Sequence, residues 1–392
     1  MIFVYLLIII SLQCLVQNEI IFHQLLQFNT HTVISIAFNN KHVNRFFNID
    51  LSNQHSYTFL PFLQPSSTSS HTITNITIDN TQYNAVQINE TFYISTQNKI
   101  INTYIYYIQH TNEMNVNTQC LSLCFNYSNE HDSLIHIMYM NKVIDYKSFA
   151  FDFGNVSSPM NVYQHKIYFG NDIPKDVFIN KPYKYKCKVI SGSSKWKCNL
   201  SKVNYKFSTV EMNYHITKTM YFQANDYKIL APDDFMYSIR NIVMERFINK
   251  GICIEYNNVF ECKCSDDDLY NTFPNITFTI DGIEHIMKSK ELFYKNNEGK
   301  CTFIIERNGL NEWILGTMFY KKYFTVFDYE QSEIIFYSDT QLNNNNNNGR
   351  NTYTTSSLST NNNLVIIALL KVIITLLTMT IFVLIIVHIL SK

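Results

Sequence analysis

The chain has 392 residues, 46% hydrophobic and 16% charged, enough apolar material for two packed lobes rather than one small domain. Lys+Arg and Asp+Glu both number 31, so no net field recruits nucleic acid or an acidic surface, and nucleic-acid binding is excluded. With 27 Tyr, 29 Phe and 9 Gly, the composition suits pleated, half-buried strands whose turns rely on Asn, Asp and Ser.

Residues 1–17 begin with a short apolar run over 2–12 and give way to polar sequence at Gln17. This predicts a signal peptide and entry into the secretory pathway. In that oxidising setting, the cysteines that follow Cys14 are even in number and read either as disulfides or as buried thiols. The sequons at Asn75, Asn89, Asn126, Asn155, Asn199 and Asn275 become candidate glycan sites for the same reason.

From about residue 20 to 338 the pattern is mostly short strands with period-two alternation, as in Thr32-Val33-Ile34-Ser35-Ile36-Ala37-Phe38 and over 273–280. Helical stretches are expected to be few, with candidates around 133–140 and over 233–249. The second opens after Pro232 with an acidic first turn and repeats apolar residues at Phe235, Ile239, Val243 and Phe247. Metal sites are not expected. Cys262-Lys263-Cys264 has the wrong spacing for a zinc knuckle, and Asp266-Asp267-Asp268 lacks the further acidic ligands of a calcium loop. His131-Asp132-Ser133 are neighbours whose side chains diverge, so they cannot form a triad.

Residues 339–363 are rich in Asn, Ser and Thr and read as a stalk. Residues 364–390 are apolar apart from Lys371 and His388, and from Val372 onward about 19 residues give about 28 Å of helix, enough to cross a bilayer. A single-pass anchor is expected, with a glycolipid-anchor signal after Ser356 and Ser357 as the alternative.

Three stretches resemble the pepsin-like aspartic protease family. Trp313-Ile314-Leu315-Gly316, the short helix after it and Tyr323-Phe324-Thr325-Val326-Phe327-Asp328 are similar to that family's hydrophobic-hydrophobic-Gly segment and closing strand. Phe46-Phe47-Asn48-Ile49-Asp50-Leu51 looks like the strand leading to the first Asp-Thr-Gly loop, and Met220-Tyr221-Phe222 like the strand leading to the second. The resemblance implies a mostly β, bilobal fold with an interlobe cleft, divided as 20–180 and 181–338. It also implies a disulfide Cys264–Cys301. Cys253 with Cys262 is a candidate further bridge, Cys187 with Cys198 would close a strand-to-strand turn, and Cys120 with Cys124 is a fourth possible pair.

Anchored on Ser56, Pro61 and Pro232, the resemblance puts Ser52 and Gln223 where the family has its two catalytic aspartates. Neither titrates near working pH. Asn53, Gln54, Ser122, Ala224, Asn225 and Gly316 would line the cleft, with Gln54, Asn225 and Ser122 replacing glycines. A slipped register would instead offer Asp50 and Asp226 as the pair. The expected function is a membrane-anchored pseudoprotease that binds a polypeptide or surface partner, without cofactor. An active aspartic endopeptidase with an unusual dyad and a structural or adhesion protein are the alternatives.

Overall fold

The two stretches of clearest alternation both become strands, His31–Phe38 and Ile276–Ile280. The computed structural model describes residues 21–28, 31–38, 43–51, 56–59, 72–78, 81–94, 99–108, 120–125, 134–153, 166–170, 174–224, 226–265, 267–295, 299–309 and 312–342. The expected leader over 1–17, the stalk beyond 342 and the span over 364–390 lie outside them. Among the described residues no helix is long and apolar enough to cross a membrane. The described chain is mostly β, in several sheets.

A run of antiparallel strands draws on both halves of the chain: Tyr183–Lys188, Glu333–Ser338, Phe324–Asp328, Ser148–Asp152, Lys166–Phe169 and Ile21–Phe28, in that order. Its middle strand, Phe324–Asp328, is buried at every position, Thr325 and Asp328 included, which explains why it shows no apolar-in, polar-out alternation. Phe149 pairs with Phe327 across the strands and their rings stack at 4.8 Å, with planes 7° apart. The sheet continues from Ile21–Phe28 into the N-terminal half through His31–Phe38 and Val43–Asp50, and ends at Thr72–Ile78.

In the C-terminal half, Lys197–Phe207 and Val210–Phe222 form a long hairpin flanked by Ile276–Ile280 on one side and Trp313–Leu315 on the other. A separate four-stranded sheet holds the hairpin Cys253–Tyr256 and Val259–Lys263 together with Lys300–Phe303 and Phe293–Lys295. Its turn residues Asn257 and Asn258 both take positive φ, 50° and 63°. That is the two-residue turn that suits a twisted hairpin, made with asparagine in a glycine-poor chain.

Cys187–Cys198, Cys253–Cys262 and Cys264–Cys301 are the disulfides. The first ties the shared sheet to the long hairpin, the second crosses its own hairpin, and the third holds Lys300–Phe303 to the stretch after Val259–Lys263. Cys124 is buried, while the side chain of Cys120 lies outside those described.

The stretch after Pro232 is helical over Asp233–Ser238, Ile239–Met244 and Glu245–Asn249, with a π segment in the middle. Phe235, Ile239, Val243 and Phe247 are all buried. One core cluster contains residues from both halves, among them Ile49, Leu121, Phe151, Trp196, Phe222, Phe278 and Phe336.

Candidate functional site

The same backbone motif occurs once in each half. In the C-terminal half Met220, Tyr221 and Phe222 pair in parallel with Trp313, Ile314 and Leu315, while Ile229 and Leu230 return antiparallel to Leu315 and Ile314. In the N-terminal half Asn48, Ile49 and Asp50 pair in parallel with Cys120, Leu121 and Ser122, while Tyr57 returns antiparallel to Cys120. Each motif therefore threads one strand between two others and leaves a loop at its end.

Gly316 follows directly from the C-terminal ladder, so Gln223 stands opposite it. A Cβ on Gly316 would lie 2.1 Å from the carbonyl oxygen of Lys228 and 2.7 Å from that of Asp226, so only glycine fits. The amide N–H groups of Gln223 and Thr317 donate to the carbonyls of Leu315 (3.0 Å) and Asp226 (3.0 Å), which pins the loop onto the glycine. The Tyr320 hydroxyl donates to the Gln223 carbonyl at 2.8 Å. Burial pushes the pKa of Tyr320 well above the ordinary phenol value, so it remains a donor.

In the N-terminal half Ser122 occupies the corresponding place and is fully buried, and its N–H donates to the Ser56 hydroxyl at 3.0 Å. Taking Ser122 as the counterpart of Gly316, the parallel ladders make Asp50, not Ser52, the backbone counterpart of Gln223. The antiparallel ladders agree, because Asp50 precedes Tyr57 by the same number of positions as Gln223 precedes Leu230. Leu51 and Ala224, which follow, are both fully buried. The anchor on Pro61 shifts this register because the first loop is longer than the second on its way to the proline. Ser52, Asn53, Gln54 and Asn225 lie outside the described residues, as does the side chain of Asp50.

Asp226, the other carboxylate of the slipped register, is built into a turn. Its Oδ1 accepts the Lys228 N–H at 3.2 Å, and its carbonyl accepts the Thr317 N–H. Gln223 is different. Its side-chain Nε2 is buried and, among the described residues, has no hydrogen-bond partner, and the position opposite is a glycine with no side chain to meet it. An unmet buried donor of this kind costs about 1–3 kcal/mol.

Trp196 links the two motifs. Its carbonyl accepts the Phe222 N–H at 3.2 Å, next to Gln223, and its indole N–H donates to the Leu123 carbonyl at 2.8 Å, next to Ser122. The Tyr329 hydroxyl donates to the same Leu123 carbonyl at 3.2 Å, with its ring 4.8 Å from that of Trp196. No motif in the sequence singles out Trp196. Its rarity, with 2 Trp in the chain, was the available signal.

Of the sequons, Asn75, Asn199 and Asn275 are exposed. Asn275 also accepts the Ser289 N–H at 3.1 Å through its Oδ1. Asn126, Asn155 and the side chain of Asn89 lie outside the described residues. Among the described residues no cluster of His, Cys, Asp and Glu could hold a metal.

Residues 46–338 match the family model described as eukaryotic aspartyl protease. The chain is similar to a pregnancy-associated glycoprotein of Equus caballus, 36% identical over 112 residues, which is 27% of this chain and 26% of that protein. It is 38% identical over 78 residues to cathepsin D of Dictyostelium discoideum, covering 18% of this chain and 20% of that one. With pepsin F of Oryctolagus cuniculus it shares 28% identity over 112 residues, 27% of this chain and 26% of the relative. The alignments thus span about a quarter or less of these relatives. The family model reaches across both ladder motifs and the shared-sheet strands from Ser148–Asp152 onward, and on that match the chain belongs to the eukaryotic aspartyl protease family.

Proposed function

We propose that the chain is a catalytically inactive, bilobal member of this family, displayed on a membrane of the secretory pathway or cell surface. It binds a polypeptide or surface partner through the cleft between its lobes. The observation that carries this reading is Gln223 at the end of the C-terminal ladder, opposite Gly316. Acid proteolysis of this type needs two carboxylates close enough to share one proton, one acting as base on water while the other donates to the substrate carbonyl. A carboxamide neither gives nor takes that proton. Asp226 does not replace it, being held in its own turn by the Lys228 N–H.

The register of Asp50 favours half of a dyad and no more, which sets the active-endopeptidase alternative behind the binding reading. The chain purified in detergent and offered a peptide library between about pH 3 and 7, where ordinary carboxylates titrate, should give no pepstatin-sensitive cleavage. Acid-dependent cleavage that disappears in Asp50→Asn would overturn the proposal and identify a working enzyme.

A further inference from the structure

The four-stranded sheet of the C-terminal half sets Cys253, Cys262 and Cys301 in one row. Cys253 stands opposite Cys262 across one pair of strands, and Cys262 stands opposite Cys301 across the next. Directly paired residues of antiparallel strands share a face of the sheet, and all three cysteines are buried. Cys262 is bridged to Cys253, with Cα atoms 4.0 Å apart. Cys301 is bridged instead to Cys264, just past the end of the middle strand, at 5.1 Å. Opposite residues in antiparallel ladders have Cα atoms about 4.5–5.5 Å apart, inside the roughly 4.4–6.8 Å that disulfides commonly span. Cys262 is therefore placed to bond either neighbour in its row, and the chain holds it on only one of them.

The sulfurs are unequally reachable. Cys253, Cys262 and Cys301 are 1%, 4% and 1% exposed, whereas Cys264 is only half-buried and belongs to the wall of a surface pocket of about 270 Å³. The Tyr270 hydroxyl lies 3.0 Å from Cys301 Sγ. A disulfide sulfur carries no hydrogen, so the hydroxyl is the donor. Burial raises the pKa of Tyr270 above the ordinary phenol value, which keeps that proton in place. A thiolate that attacks one sulfur of a disulfide expels the other as a thiolate. A donor already aimed at Cys301 thus favours attack at the accessible Cys264, with Cys301 as the leaving group.

We propose that this cluster is a thiol–disulfide exchange site, which takes up a small thiol at Cys264 and passes the exchange across the sheet to Cys253. In the first step the incoming thiol loses its proton and its sulfur bonds to Cys264 Sγ. The Cys264–Cys301 bond breaks, and its electron pair leaves on Cys301. In the second step the Cys301 thiolate bonds to Cys262 Sγ, the Cys253–Cys262 bond breaks, and Cys253 leaves as the thiolate that takes up the proton. One disulfide is made for each one broken, so no outside oxidant or reductant enters. The product ties Lys300–Phe303 directly to Val259–Lys263 and releases the edge strand Cys253–Tyr256 from its bridge. The exchange involves neither ladder motif, so it stands or falls apart from the chemistry of the cleft.

The test incubates the full chain in detergent with glutathione, quenches with acid, alkylates with N-ethylmaleimide and maps the unreduced digest by mass spectrometry. The expected product carries glutathione on Cys264, maleimide on Cys253 and a Cys262–Cys301 link. Maleimide on Cys301 with Cys253–Cys262 intact means that the bridge opens without transfer, and it overturns the proposal. Glutathione on Cys187 or Cys198 while Cys264 stays bridged overturns it as well. Tyr270→Phe removes the donor and should slow glutathione uptake at Cys264 about tenfold, a loss in keeping with one hydrogen bond to a charged group. An unchanged rate in that variant would overturn Cys264 as the point of entry. The mapping on the unsubstituted chain decides the transfer even if Tyr270→Phe does not fold.

Discussion

His285 shows at the scale of one side chain how this interior treats charge. It is 1% exposed, with Nδ1 3.0 Å from the Tyr323 hydroxyl and its ring among Phe319, Tyr323 and Phe336. Burial, and then the nearby Lys322 cation, push its pKa down to about 3. The folded value lies below the ordinary one of about 6.5, so the unfolded chain binds the proton preferentially. The neutral ring's contribution is therefore complete above about pH 6.5 and is lost as the pH falls from there toward 3. At pH 4 the loss amounts to about 3 kcal/mol. Denaturant midpoints should fall between pH 7 and pH 4, and fall less in His285→Gln; parallel profiles for the two proteins would remove His285 as the cause. At this scale the sequence was readable where sterics dictate a residue, as at Gly316. It was not readable where a loop length had to be assumed. Pro61 and Pro232 invite a gapless reading that selects Ser52, whereas hydrogen-bond register selects Asp50, and register is not visible in residue identities.

Among the elements, the helical stretch at 233–249 was legible from Pro232 and the apolar repeat, but its π segment at Ile239–Met244 was not. Phe235, Ile239, Val243 and Phe247 recur every fourth position, slightly slower than the 3.6 residues of an α-helical turn. A wider turn in the middle keeps all four on the buried side, and such bulges are the known form of that widening. The disulfides give an element-scale prediction. Cys264–Cys301 spans a sequence separation of 37 and Cys253–Cys262 one of 9. On the chain-entropy account, removing the first pair as serines should cost about 1 kcal/mol more than removing the second. Urea unfolding of the two double variants measures the difference. A larger loss from the short loop would show that local packing, not loop closure, governs these bridges.

For the whole described molecule the shared sheet decides how the halves behave. Ser148–Asp152 from the N-terminal half lies beside Phe324–Asp328 from the C-terminal half, and Phe149, Phe151 and Phe327 belong to one core cluster. Separating the halves would expose Phe149, Phe151, Trp196 and Phe327 together, each worth about 1.5–3 kcal/mol of burial. Calorimetry should accordingly show a single transition in which calorimetric and van't Hoff enthalpies agree. Two resolved peaks would mean that each half keeps its own core. The mostly β class and the pairing of apolar stretches could be read from composition and alternation. The identity of the strands that cross from one half to the other could not, because nothing local distinguishes a strand that pairs within its half from one that pairs outside it.

The placement of Trp196 also has an optical consequence. The chain has 2 Trp, Trp196 and Trp313, and both are fully buried. The indole N–H of Trp196 is bonded to Leu123, whereas that of Trp313 has no partner among the described residues, and its ring packs against Phe235 and Phe278 inside one half. The two chromophores therefore differ in polarity of surroundings as well as in place. With Trp313→Phe, the remaining tryptophan emission comes from Trp196, which bonds next to both ladder motifs. Its wavelength and anisotropy then report the polarity and mobility of the indole held between Phe222 and Leu123, with no label added to the protein.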